Sequence, residues 1–191
     1  MYNEKQFELK NLKDLSEKQI SEHIKLYVGY VKNLNSLIEK LDKMRSDTNS
    51  DAYVIAELKR RIGFEFNGMR LHEHYFGDLG GNGDILDGNL KKALASQYGT
   101  FENWLSDFKT TAMLRGTGWA ILTYDTDENK FLNIWVNSHE LGHLAETKII
   151  LALDIWEHAF LFDYLPTQRK DYIEAYFSNL NWKKLEDKFN K

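Results

Sequence analysis

The chemistry of this chain has to be built on histidine and carboxylate, because its 191 residues include six histidines and no cysteine. Disulfides, thiolate metal sites, iron–sulfur clusters and cysteine nucleophiles are excluded together. Leu153-Asp154-Ile155-Trp156-Glu157-His158 sets an acid and an imidazole four residues apart at the end of an apolar run that begins at Ile149. Neither group is comfortable there alone, and one shared cation would satisfy both. A carboxylate oxygen joined by neutral imidazoles from elsewhere makes a site suited to Fe, Mn or Zn.

The other histidines offer several partners. His139-Glu140-Leu141-Gly142-His143 matches the HExxH pattern of zinc proteases, in which two histidines one helical turn apart bind zinc and the glutamate is the base. That reading needs a helix through the segment and a third ligand, for which Glu157 or His158 could serve, whereas the sequence puts the segment between two strands. His23 lies seven residues before Tyr30, two turns at about 3.6 residues per turn, on the face that carries Leu26 and Leu34. It therefore points inward, as a hydrogen-bonded core residue or as a ligand. His72 follows Met69 by three residues and precedes Phe76 by four, on an apolar stripe, while His74 follows Arg70 by four. His72 is expected to be the buried one and His74 the more exposed.

The elements that must position these groups can be read from periodicity. Ser16-Glu17-Lys18-Gln19 has the form of a capping box, and helical spacing from Ile20 through Leu41 predicts a helix to about Met44. Ile55 through Phe76 repeats the pattern, which predicts an antiparallel hairpin of two long helices. The glycine-rich passage Gly77 to Gly83 ends the second helix, and a boundary after it gives an N-terminal helical unit, 1–84, and a C-terminal unit, 85–191. Two shorter helices are expected over 89–97 and 100–114, then strands over 119–124 and 131–136 joined by a turn, and a third strand at 149–153. The tail from Pro166 reads as helical, with Tyr172, Ala175, Tyr176 and Leu180 on one stripe. The fold class is α+β: a helical hairpin followed by a three-stranded antiparallel sheet flanked by helices.

Asp154-Ile155-Trp156-Glu157-His158-Ala159 resembles the D-x-W-E-H-A signature of the iron/manganese superoxide dismutases, whose Asp and His are metal ligands. His72-Glu73-His74-Tyr75-Phe76 is similar to the family's second-helix segment, and His23 with Tyr30-Val31-Lys32-Asn33-Leu34-Asn35 to its first ligand histidine and active-site tyrosine. Gly116-Thr117-Gly118-Trp119 resembles the family's G-S-G-W lead-in to the sheet. The resemblance covers nearly the whole chain. It implies one Fe or Mn ion per chain, held by His23, His72, Asp154 and His158, with Tyr30, Trp119 and Trp156 lining the pocket.

Asn137 to Glu146 resembles archaeal-type members, in which a histidine replaces a glutamine as the hydrogen-bonding partner of the metal's solvent ligand. The resemblance gives that role to His139, and Gly68, where iron-type members carry a glutamine, leaves room for it. Two departures stand out. The spacing from His23 to Tyr30 is one residue shorter than usual, which predicts a regular helix where many members bulge. The family's gateway histidine and tyrosine are replaced by Leu26 or Tyr27 and by Leu161. Glu157 keeps the position that bridges to a partner subunit's metal histidine, so a homodimer is implied.

The implied reaction converts superoxide to oxygen and hydrogen peroxide, with Tyr30 and His139 as the catalytic pair. Arg169 is a candidate for local positive charge that would steer the anionic substrate, or else a surface arginine capping the last helix. A zinc hydrolase and a metal-binding member of the fold without turnover are the alternatives. The net charge of −4 argues against nucleic acid, and no stretch approaches the ~18 apolar residues of a membrane span. A cytoplasmic location is expected.

Overall fold

In the computed structural model, which describes all residues from Met1 to Lys191, helix α1 runs over Glu17–Arg45 and helix α2 over Ala52–Asp78. Ser16 caps α1 by accepting from the Gln19 amide. The other half of the expected capping box does not form. The Gln19 side chain instead donates to the His158 carbonyl at 2.7 Å and accepts from the Phe162 amide at 3.0 Å, fastening a distant segment to the start of the helix.

α1 is continuous, as its shortened spacing predicts, and it buries Ile20, His23, Tyr27, Val31, Leu34, Leu37 and Leu41 at three- and four-residue intervals. Asp51 caps α2. The helices are antiparallel: His23 packs against Phe76 and His72, while Tyr30, two turns further along α1, packs against Phe64 and Gly68.

Residues 79–88 lead to α3 (Asn89–Tyr98) and α4 (Phe101–Ala112). No residue of its own caps α3; the Glu186 carboxylate accepts from the Asn89 and Leu90 amides at 2.7 and 2.9 Å. Strands β1 (Gly118–Asp125), β2 (Lys130–Asn137) and β3 (Thr147–Asp154) form an antiparallel sheet in the order β2-β1-β3. β1 is central, and Trp119 through Leu122 are fully buried.

The apolar run at 149–153 is the buried part of β3, and Asp154 is its last residue, opposite Trp119. A 3₁₀ turn at Glu157–Ala159 follows. The tail is two helices rather than one, α5 (Arg169–Ser178) and α6 (Trp182–Phe189). Leu180 lies between them, bridged to Leu79, because the Asn179 side chain turns back to hold both the amide and the carbonyl of Lys13. None of the helices is long and apolar enough to cross a membrane.

Candidate metal centre

The end of β3, α1 and α2 meet at one point. His23, His72, Asp154 and His158 each offer one donor atom there, and the four atoms all lie within 4.8 Å of one another. The Nε2 atoms of His23, His158 and His72 stand 3.0, 3.2 and 3.5 Å from the same oxygen, Asp154 Oδ2. Donors about 2.1 Å from a common ion and separated by about 90–110° would be about 3.0–3.4 Å apart, so the spacing has the scale of a coordination sphere. His23, His72 and Asp154 are fully buried, and His158 is 22% exposed in its side chain.

His72 decides whether a cation fits. Its Nδ1 lies 2.6 Å from the Gly68 carbonyl, so Nδ1 carries the proton and Nε2 presents a bare lone pair. That lone pair has no hydrogen-bond partner and faces the Asp154 carboxylate. Two buried acceptors face to face repel unless a cation lies between them.

Burial holds the His72 imidazole well below the usual histidine range, reinforced by neighbouring His23, and burial also lowers His23 against the pull of Asp154. Asp154 moves the other way from a typical buried acid. Burial pushes its carboxyl up, but the charge and hydrogen bond of His158, with His23, outweigh this and bring it below the ordinary carboxylate range. Three imidazoles and one carboxylate, without thiolate, suit Fe, Mn or Zn.

The carboxylate is anchored from outside the cluster. Its Oδ1 accepts from the Trp156 amide at 2.8 Å, and the Tyr172 hydroxyl donates to the Asp154 carbonyl at 2.8 Å. Tyr172 and Gln19 were not singled out in the sequence. Tyr172 reads there only as part of an apolar stripe and Gln19 only as a cap, and nothing local shows that each also reaches across the fold.

His139 and Tyr30 form a second layer. The indole Nε1 of Trp119 donates to His139 Nδ1 at 2.9 Å, and because an indole can only donate, that nitrogen is the acceptor. The proton of the neutral ring is then on Nε2, which donates to the Tyr30 hydroxyl oxygen at 2.7 Å. Burial lowers His139 to about 4, which keeps the ring neutral. The Tyr30 hydroxyl accepts from His139 and keeps its own hydrogen free. Burial, then the Asp154 charge, raises its pKa well above the usual range, so it holds that proton firmly.

The space beside Gly68 is taken by the Tyr30 ring rather than by His139. A Cβ at position 68 would lie 2.6 Å from Tyr30 Cδ1. Phe64, which the sequence did not single out, packs edge-on against His139 with ring centroids 4.6 Å apart.

The HExxH-like segment is not a metal site. Residues 138–140 form a turn, Asn137 bridges to Leu141, and His143 Nε2 donates to the His139 carbonyl at 2.9 Å while His139 faces Tyr30. The two imidazoles do not converge. Tyr27 is buried, with its hydroxyl at the Lys5 amide and Glu73, whereas Leu26 and Leu161 are exposed. Arg169 donates to the Leu114 and Gly116 carbonyls, tying α5 to the lead-in of β1. Glu157 is exposed beside His158. His74 is less buried than His72, as expected, but its Nδ1 meets Lys188 Nζ at 3.3 Å rather than open solvent.

A helical hairpin and an antiparallel sheet that converge three imidazoles and one carboxylate define a mononuclear metalloprotein. Residues 86–188, more than half of the chain, match the family model for the C-terminal domain of iron/manganese superoxide dismutases. Over most of its length the chain is also similar to proteins named as iron superoxide dismutases. It is 36% identical to one from Saccharolobus solfataricus over 94% of this chain and 85% of that protein. It is 33% identical to one from Methanothermobacter thermautotrophicus (92% and 86%) and 35% identical to one from Cupriavidus metallidurans (93% and 90%). The chain belongs to the iron/manganese superoxide dismutase family. Conversion of superoxide to oxygen and hydrogen peroxide at one Fe or Mn ion, expected from the sequence, agrees with that membership, and the zinc-hydrolase alternative is not favoured.

Proposed function

We propose that His23, His72, Asp154 and His158 hold the catalytic metal and that Tyr30 and His139 form its hydrogen-bonding partner pair. The convergence of three imidazole nitrogens on Asp154 Oδ2, with the unpartnered Nε2 of His72, carries this reading. When bound, the metal supplies the one-electron couple that takes an electron from one superoxide and returns it to the next. The names of the archaeal and bacterial relatives favour iron. The units proposed from the sequence, 1–84 and 85–191, then contribute two donors each.

The residues divide the remaining work. Asp154 brings the only negative charge of the donor set and so favours the higher oxidation state of the ion. Tyr30, whose oxygen accepts from His139, can aim its hydroxyl hydrogen at the reacting oxygens and donate without becoming a base. Trp119 fixes the His139 tautomer on which this direction depends. Dismutation consumes two protons per peroxide formed; Tyr30 keeps its own proton and serves as the hydrogen-bond donor to the reacting oxygens.

The proposal includes a homodimer in which Glu157 reaches a metal histidine of a second copy. Glu157 sits on an exposed turn next to the partly exposed His158, flanked by exposed Leu161, Phe162 and Leu165. A cytoplasmic location stays with the proposal as a reading of the sequence.

The test is superoxide consumption by protein loaded separately with iron and with manganese, alongside metal content and sedimentation. About one redox metal per chain with rapid turnover is expected, and Tyr30→Phe should slow turnover while leaving metal content unchanged. Retention of zinc alone, without turnover, would overturn the assignment.

A further inference from the structure

Away from the metal centre, α2, the start of β3 and the end of α6 border an open surface pocket of about 480 Å³. Arg70, Lys148, Lys188 and Lys191 line it, and no acidic side chain does. The chain has 29 acidic residues against 25 basic ones, so four cations around one cavity without an acidic side chain run against its average.

Two of these cations are fixed from behind. The Arg70 guanidinium donates to Glu73 at 2.7 Å and lies 5.4 Å from the centre of the Phe66 ring. Lys188 Nζ is held by Asp78 at 2.6 Å and by the Ile150 carbonyl at 2.9 Å. Both counter-carboxylates, Glu73 and Asp78, line a neighbouring cavity on the other side of His74. Lys188 is therefore already paired with Asp78, while Arg70, 40% exposed in its side chain, keeps guanidinium N–H groups available. Lys148 forms no ion pair. Phe66, Leu71 and Ile149 give the cavity an apolar floor, and Asn67 adds an uncharged polar group.

We propose that this cavity binds a small phosphorylated anion. The phosphate would be held by the Arg70 fork and by Lys148, with the ligand's apolar part on Phe66, Leu71 and Ile149. A guanidinium fork matches phosphate oxygens in pairs. The volume lies in the range of small-molecule sites and exceeds what a bare ion needs. The site is separate from the metal centre and does not rest on the dismutase reading.

The experiment is calorimetric titration of the metal-loaded full chain with adenosine 5′-diphosphate and with inorganic pyrophosphate, which share the phosphate but not the apolar part. Saturable binding of the nucleotide at about one per chain, tighter than pyrophosphate, is expected. Lys148→Glu should weaken it about tenfold or more, while Lys92→Glu on exposed α3 leaves it unchanged. Unaltered superoxide consumption in Lys148→Glu would show that the fold and the metal centre are intact. Absence of saturable binding, or equal weakening by Lys92→Glu, overturns the proposal; tighter binding of pyrophosphate than of the nucleotide overturns the role of the apolar floor.

Discussion

Two buried carboxylates, Asp78 and Asp154, are held within one core, at 1% and 0% exposure, and the molecule treats them differently. Asp78, the last residue of α2, receives a cation from the chain itself, because Lys188 of α6 reaches it at 2.6 Å. Even so, burial outweighs that lysine and pushes the Asp78 carboxyl up to about 6. Asp154 has no lysine or arginine against it. Its neighbours are three imidazoles, of which burial keeps His23 and His72 below the usual histidine range. A buried acid beside its own ammonium makes a structural ion pair, and a buried acid beside converging imidazoles has the form of a ligand set. α2 serves both, with His72 on one side and His74 on the other.

Exchanging the two histidines tests this division most sharply. His72→Ala should reduce metal per chain to a small residue and lower superoxide turnover by about 100-fold or more, since even outer partners of ligands are worth about 10–100-fold. His74→Ala should keep its metal. Elemental analysis of both variants decides, and loss of metal from His74→Ala alone would reverse the assignment.

Next in size is Lys188→Met, which leaves Asp78 buried without a cation and should cost about 3–5 kcal/mol in denaturant unfolding. Adding Asp78→Asn to it should recover a large part of that loss. If the double variant is no more stable than the single one, the pair is not the structural element described.

The smallest effect is in pH. Asp78 titrates at about 6 in the fold, against about 3.9 in an unfolded chain. Between these values the native state holds the extra proton, so this group lowers unfolding free energy as pH rises from about 4 to about 6. The contribution is on the order of 3 kcal/mol. Wild type minus Asp78→Asn should show this falling slope, and a flat difference across the window would contradict it.

Much of the architecture was legible because period and glycine mark it. The two long helices, the hairpin of β1 and β2, and buried β3 all appear in the sequence at close to their final bounds. The break at Asn179 was not legible, because the asparagine stops the helix by holding Lys13, 166 residues away in the chain. At the metal centre, helical phase placed His23 inward and separated His72 from His74, and the family motif pointed to the same four donors. The direction of the His139 hydrogen bond was hidden, since it is set by the Trp119 indole and by the Tyr30 ring lying over Gly68. The HExxH-like segment is a familiar spacing carried on a turn where a helix would be needed, in keeping with its place between two strands in the sequence reading.

The chain separation of the four donors has a kinetic consequence. His23 and Asp154 are 131 residues apart, yet they meet at 3.0 Å with no exposed surface on either side chain. An ion held there would cross-link the helical hairpin and the sheet, and its release would be slowed by the need to loosen them. Metal exchange is therefore tied to an opening of the fold and should share its steep temperature dependence.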